Sequence, residues 1–181
     1  MSFAFRSLKT IQAAAALLKL HPQQRMGRMR LLKLLYIADR ESLKEKGRPI
    51  TGDRPISLKL GPVLSGVYDL IKGTGLPTRQ AEWDSWFRSE GYQIVLASDP
   101  GIGKLSRYEL QVLREIAERF ASKDDDDLCD YTHTFAEWKD PGDSSEPISL
   151  EAILEAVGCA DMEAVRENAR LDLAATRAFG E

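Results

Sequence analysis

The stretch GRMRLLKLLYIADRESLKEKG, Gly27 to Gly47, decides the fold class. Leu31, Leu32, Leu35, Ala38 and Leu43 recur at helical spacing, while Arg30, Lys33, Glu41, Lys44 and Glu45 fall on the other face. The spacing predicts an amphipathic helix from Gly27 to about Lys46, with Gly47 as its C-terminal stop. Asp39 shares the apolar face with Leu32, Leu35, Tyr36 and Leu43, which puts a carboxylate at the edge of the buried stripe. A buried carboxylate needs donors or a counter-charge, and Arg48, Lys59 and His133 are the candidates. A structural ion pair is the first reading and a catalytic acid or base the second.

Upstream, Leu8 to Leu20 reads as a helix that ends before Pro22, because the residue preceding a proline is pushed out of helical geometry. Downstream, Pro49, Gly52 and Pro55 punctuate the chain, and Ile56, Leu58 and Leu60 alternate as in a short strand. Gly61-Pro62 then reads as a tight strand-to-helix turn, with Pro62 at the first helical position. The apolar face of that helix uses Leu64, Val67, Tyr68 and Ile71; Gly66 lies beside it, leaving room for a neighbouring helix, and Gly73 ends it. Trp86 to Ser98 reads as a hairpin with Tyr92, Ile94 and Leu96 on one face and a turn at Glu90-Gly91. Ser106 and Glu109 form a capping-box pattern, and Leu105 with Leu110 stands at staple spacing. Four aspartates follow, Asp124 to Asp127, with Asp127 as the cap of a helix through Cys129 and His133. That run holds more acid than a cap requires. Asp140 to Pro147 reads as a loop, Ser149 caps a helix that Gly158 ends, and Asp161 to about Ala178 forms a last, Ala-rich helix. The expected architecture is mostly α, a compact helical domain with a small antiparallel sheet or hairpin. Residues 1–145 are expected to form the main domain and 146–181 an acidic helical extension on or beside it.

With 181 residues, 43% hydrophobic and 29% charged, the chain suits an ordinary globular protein. Its apolar runs fall short of the roughly 18–20 residues that a membrane helix needs, so no membrane association is expected. Cys129 and Cys159 offer neither a disulfide framework nor a CxxC metal site, which fits a cytoplasmic setting. The net charge of −3 hides an asymmetry: residues 1–48 carry +8, 49–104 carry 0 and 105–181 carry −11. A basic patch can bind nucleic acid by releasing counterions. No nucleic-acid motif accompanies the charge, however, so the basic part is expected to pack against the acidic part or to be solvated.

The residues that suggest chemistry do not complete a site. Gly101-Ile-Gly-Lys104 has Ser98 and Leu105 where a phosphate-binding loop needs glycine and Ser or Thr, so it reads as a turn into the Ser106 cap. Cys129 and His133, four apart, would share a helical face as a nucleophile and base or half a metal site. His21 is the only other histidine and zinc asks for three or four ligands, so Cys129 is expected in the core and His133 as a hydrogen-bonding helix end. Trp83, Trp86, Phe87 and Tyr92 cluster as either core or partner anchor. No metal, cofactor or catalytic residue is assigned.

Several segments together carry a family resemblance. They are Leu31 to Arg40, with Tyr36, Asp39 and Arg40; Gly47-Arg-Pro49-Ile-Thr51-Gly52-Asp53; Lys59-Leu-Gly61-Pro62-Val63; Leu105-Ser106 with Glu109; and Thr132-His133 with Trp138. In this order the chain resembles the Panacea domain of SocA-like antitoxins over about residues 10–140. The resemblance implies a non-enzymatic bacterial or phage protein that binds and neutralises a cognate toxin, encoded by an adjacent gene. It also implies an alternative, an adaptor that delivers the toxin to a cytosolic AAA+ protease. It carries over no active site; the matching residues are expected to be scaffold, with Asp39 and His133 as internal polar contacts.

Overall fold

The computed structural model describes residues 2–179. Along the chain run α1 (Ser7–Lys19), β1 (Arg25–Gly27), α2 (Arg28–Lys46), β2 (Pro55–Leu58), β3 (Gly61–Leu64), α3 (Ser65–Lys72) and α4 (Pro77–Asp84). There follow β4 (Phe87–Glu90), β5 (Gln93–Leu96), α5 (Arg107–Arg119), α6 (Asp125–His133), β6 (Glu146–Pro147), α7 (Leu150–Ala156) and α8 (Met162–Phe179). The architecture is the mostly α one expected, with two three-stranded antiparallel sheets, ordered β1-β5-β4 and β3-β2-β6.

The central helix is α2, packed by α1, α5, α6 and β3. The Ala13-Ala14-Ala15 run on α1 is fully buried in the main core, where small side chains let helices approach closely. Because α2 is covered on so many sides, its apolar surface is wider than a single stripe: Leu34 and Ile37 are buried as well as Leu31, Leu32 and Leu35. The same covering corrects the assignment of Lys33 to a solvated face, since its side chain is completely buried. The helix closes at Gly47 in the left-handed region, as expected.

Gly61-Pro62 does not start a helix. Lys59 and Leu60 form a two-residue turn, and Gly61–Leu64 returns as a strand against Pro55–Leu58. Pro62 is tolerated because β3 lies at the edge of its sheet, where a missing N–H breaks little. The helix begins only at Ser65. Gly66 makes room not for a helix but for the Asp53 carboxylate, which would lie only 2.8 Å from a Cβ there. Tyr92, expected on a strand face, occupies the β4–β5 turn and is exposed, while the Trp83 and Phe87 rings meet in the core, tilted at 38° with centres 4.2 Å apart. The cap of α6 is Asp124, with Asp127 completing a reciprocal capping box, so the cap lies three residues before the expected one. The capping box at Ser106 and Glu109 and the Ser149 cap stand as read.

A second apolar cluster joins Phe3 and Leu43 to Ile148, Leu150, Ile153, Leu154, Val165 and Ala169, so α7 and α8 rest on the end of α2. Opposite charges tie the two ends of the sequence. Arg6 and Arg48 meet Asp172, Arg30 meets Asp125, Arg40 meets Glu137 and Lys9 meets Glu109. The expected packing of the basic part on the acidic part is what these pairs record.

Gly52 and Gly73 separate backbone strain from crowding. Both have left-handed φ values, +69° and +73°. A Cβ on Gly52 runs into the Ala4 carbonyl, whereas one on Gly73 meets nothing within 4 Å. Gly73→Ala should cost about 1–2 kcal/mol in urea unfolding, and Gly52→Ala clearly more; equal losses would show that the segment around Ala4 yields freely.

Candidate functional site

The motif residues gather around α2 in three polar clusters. In the first, the Lys33 ammonium donates to the Pro62 carbonyl at 3.0 Å. Gly61, at φ +97°, passes so close that a Cβ would lie 2.5 Å from both Lys33 Nζ and Thr132 Oγ1, and only glycine fits there. Thr132 Oγ1 donates to the Cys129 carbonyl at 2.9 Å. His133 stacks on Trp138 at 4.1 Å, and the Trp138 indole N–H donates to the Leu58 carbonyl at 3.0 Å. The β2–β3 hairpin is thus held from below by α2 and from the side by α6 and Trp138. Burial lowers the Lys33 pKa to about 8 and raises that of the Cys129 thiol. A nucleophilic thiol needs the opposite shift, which argues against the Cys129–His133 pair as a catalytic unit. His133 Nε2 is buried and makes no hydrogen bond among the described residues, so the expected hydrogen-bonding role is corrected to one of stacking.

The second cluster corrects the expected partners of Asp39. Arg48 pairs with Asp172, Lys59 with Asp143, and His133 stacks on Trp138. Asp39 instead accepts the backbone N–H groups of Ile50 and Thr51, both at 2.9 Å, and the Thr51 hydroxyl. The Thr51 hydroxyl accepts in turn from the Asp53 N–H at 3.0 Å. Asp53 then receives the N–H groups of Gly66 and Val67, at 3.0 and 2.9 Å, and so caps α3 from outside the helix. Burial raises the Asp39 pKa to about 7, against the pull of these donors. The turn Pro49–Asp53 is therefore shaped by a carboxylate from α2 and delivers another to α3.

The third cluster holds a residue that was not singled out in the sequence. Glu137 has a fully buried side chain, and accepts from the Tyr36 hydroxyl at 2.9 Å and from Arg40 Nε at 2.7 Å. The Arg40 guanidinium also lies over the Phe135 ring, 4.1 Å from its centre. Tyr36 and Arg40, four apart on one helical face, ask for an acid. One of 28 acidic residues had to answer, and nothing local marks which.

Beside these clusters opens a groove of about 990 Å³. Tyr36, Asp39 and Arg40 of α2 form its floor, Tyr68 of α3 one side, and Leu150 and Ile153 of α7 another. Pro49 and Asp53 reach the same groove. Gly47, Thr51, Gly52, Val63, Thr132 and Trp138 do not line it and stand behind it as framework. Lys59 is exposed on the hairpin turn, and His133 lines a separate, smaller cleft. No group of three metal-ligating side chains occurs among the described residues.

Lys33 supplies a signature in pH. Its folded-state pKa, about 8, lies below the ordinary value of 10.5. Between those values the unfolded chain binds more protons, so stability rises with pH by at most about 3 kcal/mol. Above pH 10 Tyr36, whose phenol burial holds protonated, reverses the trend. Urea midpoints for the native protein should therefore rise from pH 7.5 to 9.5, and Lys33→Met should abolish the rise. Asp39→Ala, which strands the Ile50 and Thr51 donors, should cost roughly 2–4 kcal/mol. Asp39→Asn keeps an acceptor and should cost much less; equal losses would mean that these hydrogen bonds do not hold the turn.

Comparison with known families shows a match to the family described as antitoxin SocA-like, Panacea domain, over residues 31–139. Comparison with curated proteins and with solved structures gave no match. The matched span runs from the first turn of α2 to just past Trp138 and contains the residues that build the three clusters and the groove floor. On that match the chain belongs to the SocA-like antitoxin family defined by the Panacea domain.

Proposed function

We propose that this protein is an antitoxin that neutralises a cognate protein toxin, encoded beside it, by forming a direct complex. The observation that carries this reading is the family match over residues 31–139. The structure supports binding in its own terms. Two buried polar clusters fix the floor of the groove and the start of its α3 wall, and the second apolar cluster seats α7, so little ordering remains to be done on association. Its lining mixes aromatic, aliphatic and charged side chains, the composition of a protein-recognition surface.

In this reading a projecting element of the toxin enters between α3 and α7 and its active surface is covered. The two walls differ in origin. Tyr68 belongs to the family-matched segment, while Leu150 and Ile153 lie beyond it. We assign residues 1–145 to the shared antitoxin domain and 146–181 to an acidic extension that adjusts the groove to one toxin.

Co-expression with the neighbouring gene tests the reading. The neighbour alone should arrest growth, and the pair should grow and co-purify. Tyr68→Ala should weaken the purified complex at least about tenfold, while the free antitoxin, which loses part of a core contact, still unfolds cooperatively at a modestly lower melting temperature. A neighbour that is harmless alone sinks the antitoxin reading. Rescue without a stable complex replaces occlusion by delivery of the toxin to a protease.

A further inference from the structure

The acidic run that opens α6 is only partly used by the fold. Asp124 and Asp127 cap the helix, and Asp125 pairs with Arg30. Asp126 and Asp130 are exposed, and form no ion pair or side-chain hydrogen bond among the described residues. They stand four apart on one helical face, where like charges repel, and a helix cap does not require them. His133 follows on the same face, with Nε2 buried and without a hydrogen-bond partner.

These three residues line a cleft of about 470 Å³, distinct from the groove at α3 and α7. Two hairpin turns from different sheets border it. Leu60, at the β2–β3 turn, is 53% exposed, and Tyr92, at the β4–β5 turn, is 76% exposed. Two-residue turns favour glycine, asparagine and aspartate, so a leucine and a tyrosine at both tips are out of character for loops. Met29 adds a further apolar surface between them. Arg28, which also lines the cleft, lies over the Tyr92 ring at 4.6 Å from its centre and forms no ion pair among the described residues.

The geometry points to this cleft as a docking surface for a cationic segment of the toxin that carries an apolar anchor. The apolar anchor sits between Leu60 and Tyr92, and lysine or arginine side chains face Asp126 and Asp130. The occupant follows from charge complementarity, and the inference rests on the antitoxin reading above. The β2–β3 hairpin serves both surfaces, since Leu58 lines the larger groove and Leu60 the cleft.

The test uses the full-length protein and the purified product of the neighbouring gene. The native complex should weaken as salt rises, because the charges involved are exposed. Asp126→Lys/Asp130→Lys should weaken it at least about tenfold, mainly through slower association. Tyr92→Ser, at a hairpin tip outside the core, should weaken it about tenfold through faster dissociation. Glu115→Lys/Glu118→Lys on the exposed face of α5, outside both groove and cleft, makes the same charge change elsewhere and should leave affinity within about twofold. If the native complex forms but neither cleft variant weakens it, the cleft is overturned and the antitoxin reading stands. An equal loss in the α5 control also overturns the cleft, because net charge alone then explains the effect. If the native proteins form no complex, direct binding itself falls and the cleft falls with it.

Discussion

A lysine ammonium withdrawn from water must find oxygen acceptors, and Lys33 finds one in the Pro62 carbonyl on the far side of the α2 surface. That demand organises much of the structure around it. The hairpin can approach α2 only because Gly61 has no side chain, and Thr132 closes on the same point from α6. Three segments far apart in sequence are thereby registered against one charged atom. A buried charge is a poor source of net stability, because desolvation cancels most of its attraction. Its value here is that other packings leave the ammonium unpaired, so the hairpin has one place to go.

The same logic extends along α2. Asp39 gathers backbone donors of the Pro49–Asp53 turn, and Glu137 gathers Tyr36 and Arg40. Each polar group is short of one partner on its own element and is completed by another. Such networks are costly when half made, which ties the elements into a common cooperative unit. The groove floor is therefore not a loose surface. Tyr36 and Arg40 are held by Glu137 from behind, and Asp39 is held from the side, so the lining residues keep their positions whether or not a partner is present.

Elements with a regular period were readable from the sequence. α2 announced itself by its leucines and by Gly47, and α5 by its capping box. Lys33 was misplaced because a periodic reading assumes one wet face, whereas α2 is enclosed by four neighbours. Gly61-Pro62 misled because proline is common at a helix start; its role as an edge strand depends on pairing with β2, which no local pattern records. β1 and β6, three and two residues long, have no period to detect. For the site, the residues of the family resemblance were named, but their partners were not. Asp39 was expected to need a cation and took amides instead, because the turn beneath it presents N–H groups that sequence spacing does not reveal. Glu137 stood in a segment with no regular structure and was invisible for the same reason.

The junction at Asp172 has a consequence for the birth of the protein. This carboxylate receives the Ala4 N–H and the Arg6 side chain, and Phe3 packs among side chains of α7 and α8. Two residues 168 positions apart in the sequence are thus fastened to each other. During translation the segment around Phe3 has no seat until α8 has emerged, and the α7 side of the groove is built equally late. A nascent chain can begin the α1–α2 core early, but it acquires the finished groove only once α7 and α8 have been made. Translation time is therefore a period in which this chain is folded in part and not yet equipped to hold a partner.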